Sequence, residues 1–283
     1  MNNNYGRVDR VFSYLFDNYT LIKVLYIMIK VENMDIKLLT YNVQSWDLNE
    51  RRIAGIIDLI KRHNPDIICL QEVTMSWFSI VNKQLGDIYG ITGRDRFYGN
   101  NTWPTLKRDR ERKCVLFRKD RFNLLWSHTY WMGPDMKHES KFEESVFPRI
   151  FTATLLIDKK TNKKIEAIST HLDYSDPIGR EKQAVVLSEY LKKQKYPILL
   201  AGDFNSEPHE NAYHMIGQIL IDVGKEFNET NITYHAYNKC PHERIDYIFR
   251  SKDIKAKHLL LVKDEYEGLP PSDHYPVETI VTY

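Results

Sequence analysis

The sequence has few cysteines and an almost balanced charge, and both features exclude classes of protein. Only three cysteines occur among 283 residues, and their spacing matches neither a disulfide framework nor a paired zinc motif. The 40 basic and 38 acidic residues leave a formal net charge of +2, so bulk charge alone does not indicate a nucleic-acid partner. Any strongly positive surface must therefore be local.

The sequence also lacks a long hydrophobic run. The apolar stretch at residues 21–31 is interrupted by Lys23 and Lys30, and it is shorter than the roughly 20 residues that cross a bilayer. The residues that follow it offer no small-residue cleavage site for a secretion signal. We therefore expect no stable membrane insertion and favour an intracellular soluble protein, with secretion through this segment as the weaker alternative. Residues 1–33 are expected to be a loosely ordered N-terminal extension.

Apolar runs alternate with helical patterns near both ends of the chain, and a series of strands lies between them. A helix predicted at residues 51–63 separates strands at 36–43 and 66–71, and a helix at 179–193 separates strands at 164–170 and 198–201. A further helix is predicted at 75–85, and further strands at 114–117, 122–130, 149–158, 245–249, 258–262 and 277–281. The sequence shows no internal repeat. The pattern favours two packed sheets flanked by helices over one doubly wound sheet.

Six short polar motifs lie where apolar, β-branched runs begin or end. They are TYNVQ at Asn42, LQEV at Glu72, STHLDY at His171, GDFNSEP at Asp203, RIDYIF at Asp246 and PSDHYPV at His274. Strand ends are where a sheet presents side chains to an open site. Carboxylates, amides and imidazoles together suit a hard divalent cation and a phosphate ester. Each motif alone is common, but all six in this order indicate one site.

Three of these residues are candidate metal ligands. Asn42 and Glu72 follow the first two predicted strands, and Asp273 is a third oxygen donor. A magnesium-like ion takes oxygen ligands and keeps several waters, so one or two carboxylates and an amide are sufficient.

Other residues are candidate catalytic groups. Asp203 and Asn205 are two positions apart, so their side chains point the same way if the chain stays extended. A carboxylate beside an amide can take a proton from water while the amide fixes the water or the phosphate. His171 and Asp173 have the same spacing at the end of another strand.

The motif around His274 predicts an acid–imidazole pair. Asp246 lies at a strand end that can supply a carboxylate partner for His274. Such a partner fixes the tautomer and favours the charged imidazolium, which can stabilise a transition state or protonate a leaving oxygen.

With these motifs, the chain from residue 34 to its C-terminus resembles the endonuclease/exonuclease/phosphatase superfamily, the fold of deoxyribonuclease I and exonuclease III. The resemblance implies an α/β catalytic domain over residues 34–283, a four-layer α/β sandwich with two packed, mainly antiparallel β-sheets flanked by helices. It also implies hydrolysis of phosphate esters with Mg²⁺ or Mn²⁺. The matched positions are Asn42 and Glu72 for the metal, Asp203 with Asn205 for the Asp-x-Asn pair, Asp246 for the acid behind the catalytic His, Asp273–His274 for the terminal pair and His171 for the central His.

Finer motifs resemble a mostly bacterial branch of hydrolases in this superfamily. They are FPRIFTATLL at Arg149, THLDY at Asp173, GREKQA at Arg180 and RIDYIF. In that branch a Glu ahead of a strand can pair with the central His; Glu111 is its counterpart, although Arg110 replaces the usual Gly. We therefore expect Glu111, Arg149 and Asp173 to contact substrate or phosphate. The GDFN motif argues against the branch that clears tyrosyl adducts from DNA, whereas deadenylases, repair endonucleases and sphingomyelinases remain open.

Three functions fit these residues. A phosphodiesterase acting on nucleic acid is favoured by residues 94–113, where seven basic and three acidic residues are interleaved with Phe97, Tyr98 and Trp103. A phosphoesterase for a lipid head group or a small phosphorylated molecule is the alternative. A non-catalytic binding relative is the third, disfavoured because no ligand position is missing. The oligomeric state is left open by the sequence.

Overall fold

Two six-stranded β-sheets form the centre of the protein in the computed structural model, which describes residues 35–99, 110–239 and 243–283. The expected N-terminal extension at residues 1–33 and Trp103 lie outside the described residues. The strands are Ile36–Asn42 (β1), Ile67–Val73 (β2), Tyr89–Thr92 (β3), Arg112–Arg118 (β4), Phe122–Trp131 (β5), Ile150–Asp158 (β6), Lys164–His171 (β7), Ile198–Asp203 (β8), Ile221–Asp222 (β9), Asp246–Arg250 (β10), Lys255–Leu261 (β11) and Val277–Thr282 (β12).

The helices begin at polar caps that the sequence supplies. They are Glu50–His63 (α1), Met75–Leu85 (α2), Pro177–Leu191 (α3), Asn211–Gly217 (α4) and Val223–Glu226 (α5). Asn49, Thr74 and Asp176 accept backbone hydrogen bonds at the starts of α1, α2 and α3. The first helix ends at Asn64, which adopts a left-handed conformation (φ 46°) directly before Pro65.

The two sheets have the same strand order, although the sequence shows no repeat. One sheet runs β11-β12-β1-β2-β4-β3 and the other β5-β6-β7-β8-β10-β9. Each has one parallel pair at its centre, β1 with β2 and β7 with β8, and every other pairing is antiparallel. The central strands of each half are joined by a helix, as parallel neighbours require. The two halves therefore place equivalent strand ends at one edge of the molecule.

Three apolar clusters fill the three interfaces between the four layers of the fold. One lies between the sheets and includes Ile36, Leu38, Leu156 and Ala167. A second packs α1 and α2 on the first sheet, and a third packs α3 and α4 on the other. The predicted sandwich of two mainly antiparallel sheets flanked by helices is confirmed.

Most predicted elements are present, and the unpredicted ones are short. Helix α2 has the predicted bounds, and α3 begins two residues earlier than predicted, at Pro177. β3, α4 and β9 had no sequence prediction because they are short or contain glycine and carry too little periodicity. Within the described ranges, every helix is too short or too polar to span a bilayer.

Candidate active site

The candidate residues meet at the edge where both parallel strand pairs end. Asn42 is the last residue of β1, and His171 and Asp203 end β7 and β8, opposite each other in register. Asp246 begins β10 and is the register partner of Asp203. These strand ends open into a cleft of about 530 Å³. It is lined by Ser45, Trp46, Glu72, Arg96, Glu111, Phe147, Arg149, His171, Tyr174, Asp203, Asn205, Tyr234, Glu243, Ile245, Asp273 and His274.

Asn42 joins the two sheets at the floor of the cleft. Its amide Nδ2 donates to Glu72 Oε1 (3.2 Å) in its own sheet and to Asp203 Oδ2 (3.0 Å) in the other. Its Oδ1 accepts from the backbone N–H of Gln44 (3.0 Å). In this orientation the amide nitrogen faces the carboxylates, so Asn42 positions both acids. Its predicted role as an oxygen ligand remains a prediction.

Asp203 is buried with its two oxygens held by neutral donors. The backbone N–H of Asn205 donates to Oδ1 (2.9 Å), and the side-chain Nδ2 of Asn42 donates to Oδ2. Burial and then the charge of Asp246 raise the pKa of Asp203 to about 7, against the opposing charge of His274. A carboxylate with a pKa near neutrality can exchange a proton efficiently at physiological pH.

His274 is held by Asp246. The Nδ1–H of His274 donates to Asp246 Oδ2 at 2.8 Å, and its Nε2 lies 3.8 Å from Asp203 Oδ2. Burial opposes the charged ring, but the Asp246 charge and hydrogen bond, with Asp203, raise the pKa of His274 to about 10. The ring is then an imidazolium at neutral pH. Its 3.5 Å contact with Asn42 Nδ2 brings two donors together and is not a hydrogen bond.

His171, in contrast, is neutral. Asn205 Nδ2 donates to the Leu172 carbonyl (3.1 Å), which fixes the amide, and its other proton points to His171 Nε2 (2.9 Å). Nε2 therefore accepts, and the ring proton lies on Nδ1, which has no hydrogen-bond partner among the described residues. Burial, then the charges of Arg149 and other nearby cations, hold the pKa of His171 well below its ordinary value.

Glu72 and Asp273 are the carboxylates best arranged for a divalent cation. Ser45 N–H donates to Glu72 Oε2 (2.8 Å), and Gln44 Nε2 donates to Asp273 Oδ2 (2.9 Å). Neither acid forms an ion pair with a basic side chain of the described residues, so no such partner competes with a cation for their oxygens. Burial raises the pKa of Asp273, and the nearby Glu72 adds to this rise.

A second group could also bind a metal by distance alone. One ligand atom each of Asp203, Asp246 and His274 lie within 4.8 Å of one another, and all three residues are buried. The Nδ1–H of His274, however, already donates a hydrogen bond to Asp246. We therefore regard this trio as a proton-transfer network, and Glu72 with Asp273 as the better metal-binding pair.

Three residues around the site adopt the left-handed backbone conformation that non-glycine residues disfavour. They are Gln44 (φ 55°), Glu72 (φ 60°) and Asn205 (φ 46°). The register of β2 with β4 also shifts between Leu70 and Val73, around Glu72. Such backbone strain clusters at functional sites, where it directs a side chain that a regular strand would point elsewhere.

Basic side chains form the other end of the cleft. Lys113 Nζ lies 3.0 Å from Glu111 Oε2, Arg96 lies 3.4 Å from Glu111 Oε1, and Arg149 Nε lies 3.5 Å from Asp173 Oδ2. Burial would raise the pKa of Glu111, but the charges of Lys113, Arg96 and Arg149 bring it to about 2. Glu111 thus pairs with cations rather than with His171, the partner that the resemblance implied.

Phe97 and Tyr98, two of the aromatic residues expected to stack on bases, instead pack against the protein. Phe97 is buried, and Tyr98 stacks on Trp131 with ring centroids 4.6 Å apart. The rings that are exposed at the cleft are instead Trp46 (71% exposed) and Tyr174 (59%).

Sequence reasoning missed several residues that shape the site. Gln44 and Ser45 orient the two candidate metal-binding acids, and Arg96 and Lys113 turn inward to Glu111. Gln44 is the last residue of the TYNVQ motif, and this position could have identified it as a site residue. Nothing in the sequence distinguishes Arg96 and Lys113 from the other basic residues around them.

Comparisons with known proteins identify the family that the sequence motifs resemble. A model of the Endonuclease/Exonuclease/phosphatase family matches residues 39–274. The CCR4-Not complex 3'-5'-exoribonuclease subunit Ccr4 of Saccharomyces cerevisiae is 24% identical over 296 residues, an alignment that covers 82% of this chain. The chain spans only 35% of that relative's length.

Solved structures from Bacteroides are similar over most of this chain. The endonuclease/exonuclease/phosphatase from Bacteroides vulgatus has a TM-score of 0.77 and 25% identity, covering 87% of this chain and 98% of that one. The mannosyl-6-phosphatase of Bacteroides thetaiotaomicron also has a TM-score of 0.77, at 22% identity, covering 88% of this chain and all of that one (100%). At 22% identity the second likeness shows the fold alone.

Proposed function

The chain belongs to the endonuclease/exonuclease/phosphatase family, and from this we propose that residues 34–283 form a divalent-metal-dependent phosphoesterase, with a phosphodiester of nucleic-acid type as the favoured substrate. One observation carries the proposal. A carboxylate whose pKa is about 7, Asp203, lies 3.8 Å from an imidazolium, His274, in a cleft that two other acids line. This pairing supplies a base and an acid at one phosphoryl position.

Glu72 and Asp273 are proposed to hold the metal, with Mg²⁺ or Mn²⁺ as the ion that suits oxygen donors. An ion held by these two acids would supply positive charge for the phosphoryl oxygens and make the attacking water more acidic. Asn42 fits this arrangement because it orients Glu72 and Asp203 together through one amide group.

Asp203 is proposed to take the proton of the attacking water. The Asn205 backbone N–H and the Asn42 amide hold its carboxylate in place, so no reorganisation is needed when the proton moves. Asp203 retains enough basicity for this step because burial keeps its pKa near 7.

His274 is proposed to stabilise charge on the phosphoryl group and to protonate the leaving oxygen. Asp246 fixes the ring orientation and keeps the ring charged. His171 stays neutral, and its contribution is to hold the Asn205 amide in place rather than to donate a proton as an acid.

A nucleic-acid phosphodiester is supported by the relative that is named an exoribonuclease. A second candidate substrate is a small phosphorylated molecule or lipid head group. It is favoured by the cleft of about 530 Å³, a size typical of small-ligand sites, and by the packing of Phe97 and Tyr98 away from it.

A substrate panel tests the proposal. Plasmid DNA, abasic duplex DNA, poly(A) RNA, sphingomyelin and a nucleoside monophosphate are incubated with the protein, with Mg²⁺ or Mn²⁺ or with EDTA. We expect hydrolysis of at least one phosphodiester with metal, loss of turnover in EDTA, and a loss of at least about 10³-fold in Asp203→Asn. Full activity in EDTA contradicts the metal role, and wild-type turnover in Asp203→Asn contradicts the site.

A further inference from the structure

Arg149 carries hydrogen-bond donors that no described residue of the protein accepts. The residue is 3% exposed, and it lines the cleft. Its Nε contacts Asp173 Oδ2 at a long 3.5 Å, and neither Nη atom donates a hydrogen bond to any described residue. A guanidinium has five N–H donors in a planar fork that matches phosphate oxygens. Because a buried charge without full hydrogen bonding is costly, these donors indicate an anionic ligand.

Arg149 lies in a group of charged residues that are largely buried. Arg96 and Lys113 both contact Glu111, and Arg149 contacts Asp173. Lys113 is only 1% exposed, so its charge is shielded little by solvent. The positive charges of Lys113 and Arg149 favour an anion beside the Arg149 guanidinium.

Aromatic rings fix the two guanidinium groups. The Arg96 guanidinium lies 4.2 Å from the ring centroid of Phe147, and that of Arg149 lies 5.7 Å from the ring of Tyr174. Stacking on a ring limits the orientations of a guanidinium and leaves its edge available for hydrogen bonds. Tyr174 is 59% exposed, so the Arg149 site opens toward the mouth of the cleft.

The basic group lies at the opposite end of the cleft from the acid–imidazole pair. Lys113 belongs to β4 and Arg149 directly precedes β6, and these two strands pack on each other across the sheets. Asp246 begins β10 and His274 lies three residues before the start of β12, and these strands pack on each other at the other end. A phosphoryl group at Asp203 and His274 therefore leaves the basic end open to another group of the same substrate.

We infer that Arg149, with Arg96, binds a second phosphate of the substrate, separate from the phosphate that is hydrolysed. This inference rests on the proposed function, since it names a substrate class for the same cleft. The substrate is then a molecule with at least two phosphates. Either an oligonucleotide with a terminal phosphate or a small bisphosphate supplies that chemistry.

Binding of inorganic phosphate without metal tests the subsite apart from catalysis. Titration calorimetry in EDTA compares the wild type with Arg149→Gln, Arg149→Lys and Arg96→Gln. We expect at least tenfold weaker binding in each Gln variant and a smaller loss in Arg149→Lys, which keeps the charge. Arg250→Gln, a buried arginine outside the cleft that pairs with Glu226, is the matched control and keeps wild-type binding. Unchanged phosphate binding in both Gln variants overturns the inference, as does an equal loss in the control.

Turnover with paired substrates then tests the second phosphate. The pairs are the thymidine dinucleotides pTpT and TpT, and a sugar bisphosphate and its monophosphate, each with Mg²⁺. We expect kcat/KM at least tenfold higher for the doubly phosphorylated member of the accepted pair, and loss of that advantage in Arg149→Gln. An equal fall for both members means that Arg149 serves the scissile phosphate, and the inference fails. Absence of all hydrolysis, with phosphate binding as expected, rejects the proposed function while supporting the anion subsite.

Discussion

The two halves of the molecule have the same strand order but place different chemistry at equivalent positions. The second strand of each parallel pair carries an acid at its end, Glu72 in one sheet and Asp203 in the other. Both acids accept a backbone N–H from a nearby residue, Ser45 or Asn205. Asp203 lies beside Asp246 and His274, and burial with the charge of Asp246 raises the pKa of Asp203 to about 7. The comparison shows that the fold provides similar positions for Glu72 and Asp203, whereas the residues around each acid determine its chemical role.

The antiparallel neighbours of the central pairs divide the cleft into two ends. β4 and β10 are equivalent strands, yet one brings Lys113 and the other Asp246. β12 and β6 are also equivalent, and they follow His274 and Arg149. Because β10 packs on β12 and β4 on β6, each end combines residues from both halves. One end is suited to proton transfer and the other to anion binding.

Removing the acid from the proton-transfer end is expected to have the largest effect. In Asp246→Asn the partner of His274 is neutral, so the pKa of His274 falls and turnover drops by about 10²–10⁴-fold. Metal-free phosphate binding at Arg149 is expected to stay unchanged. NMR titration of the His274 ring and kcat measurements check both statements. A wild-type pKa of His274 in this variant would show that Asp246 does not control the ring.

Removing a cation from the basic end is expected to affect stability. In Lys113→Gln the buried carboxylate of Glu111 loses its 3.0 Å partner, at a cost of about 3–5 kcal/mol in the free energy of unfolding at pH 7. The wild-type pKa of about 2 lies below the ordinary 4.5, so the charged pair stabilises the fold above about pH 4.5 and loses this contribution as pH falls toward 2. The variant is expected to lose much of this acid-side dependence.

Urea unfolding across pH measures the effect, with Lys182→Gln as control because that lysine is exposed and pairs with Glu144 at the surface. Equal stability losses in the two variants would contradict a special role for the buried pair.

Replacing a buried acid outside the cleft, Glu166, is expected to have the smallest effect. Its effect on the pH dependence of stability is opposite in sign to that of Glu111. Glu166 is fully buried, accepts a hydrogen bond from Tyr190, and has no partner for Oε2 among the described residues. Burial raises the pKa of Glu166, and the hydrogen bond from Tyr190 offsets only part of this rise. The folded state therefore binds this proton more tightly than the unfolded state, and stability falls as pH rises through the raised pKa. Glu166→Gln is expected to gain stability relative to wild type at pH 8 but not at pH 4; an equal difference at both pH values would contradict this sign.

The sequence pattern pointed more directly to the residues around Asp203 and His274 than to Arg96 and Lys113. Asn42, Glu72, Asp203 and His274 adjoin apolar β-branched runs, so local pattern alone places them at strand ends. Parallel pairing then brings those ends together.

The basic end was predicted only in part: the family resemblance pointed to Glu111, Arg149 and Asp173, but not to Arg96 or Lys113. Arg96 and Lys113 belong to a polar stretch without periodicity, and their inward direction depends on Glu111 and on packing between the sheets. The repeated strand order was also invisible, because it is a property of connectivity and leaves no repeat in residue identity.

Gly202, in the GDFN motif, limits how the sequence around the cleft can change. A methyl group on its Cα would lie 2.1 Å from the backbone oxygen of Thr170 on the adjoining strand. In the other half, the residue before Glu72 is Gln71, which carries a full side chain that donates a hydrogen bond to Ser169. The two halves therefore tolerate substitution unequally at these positions. Even alanine at position 202 would force β7 and β8 apart, and this would separate His171 from Asp203, which are paired in the register of those strands.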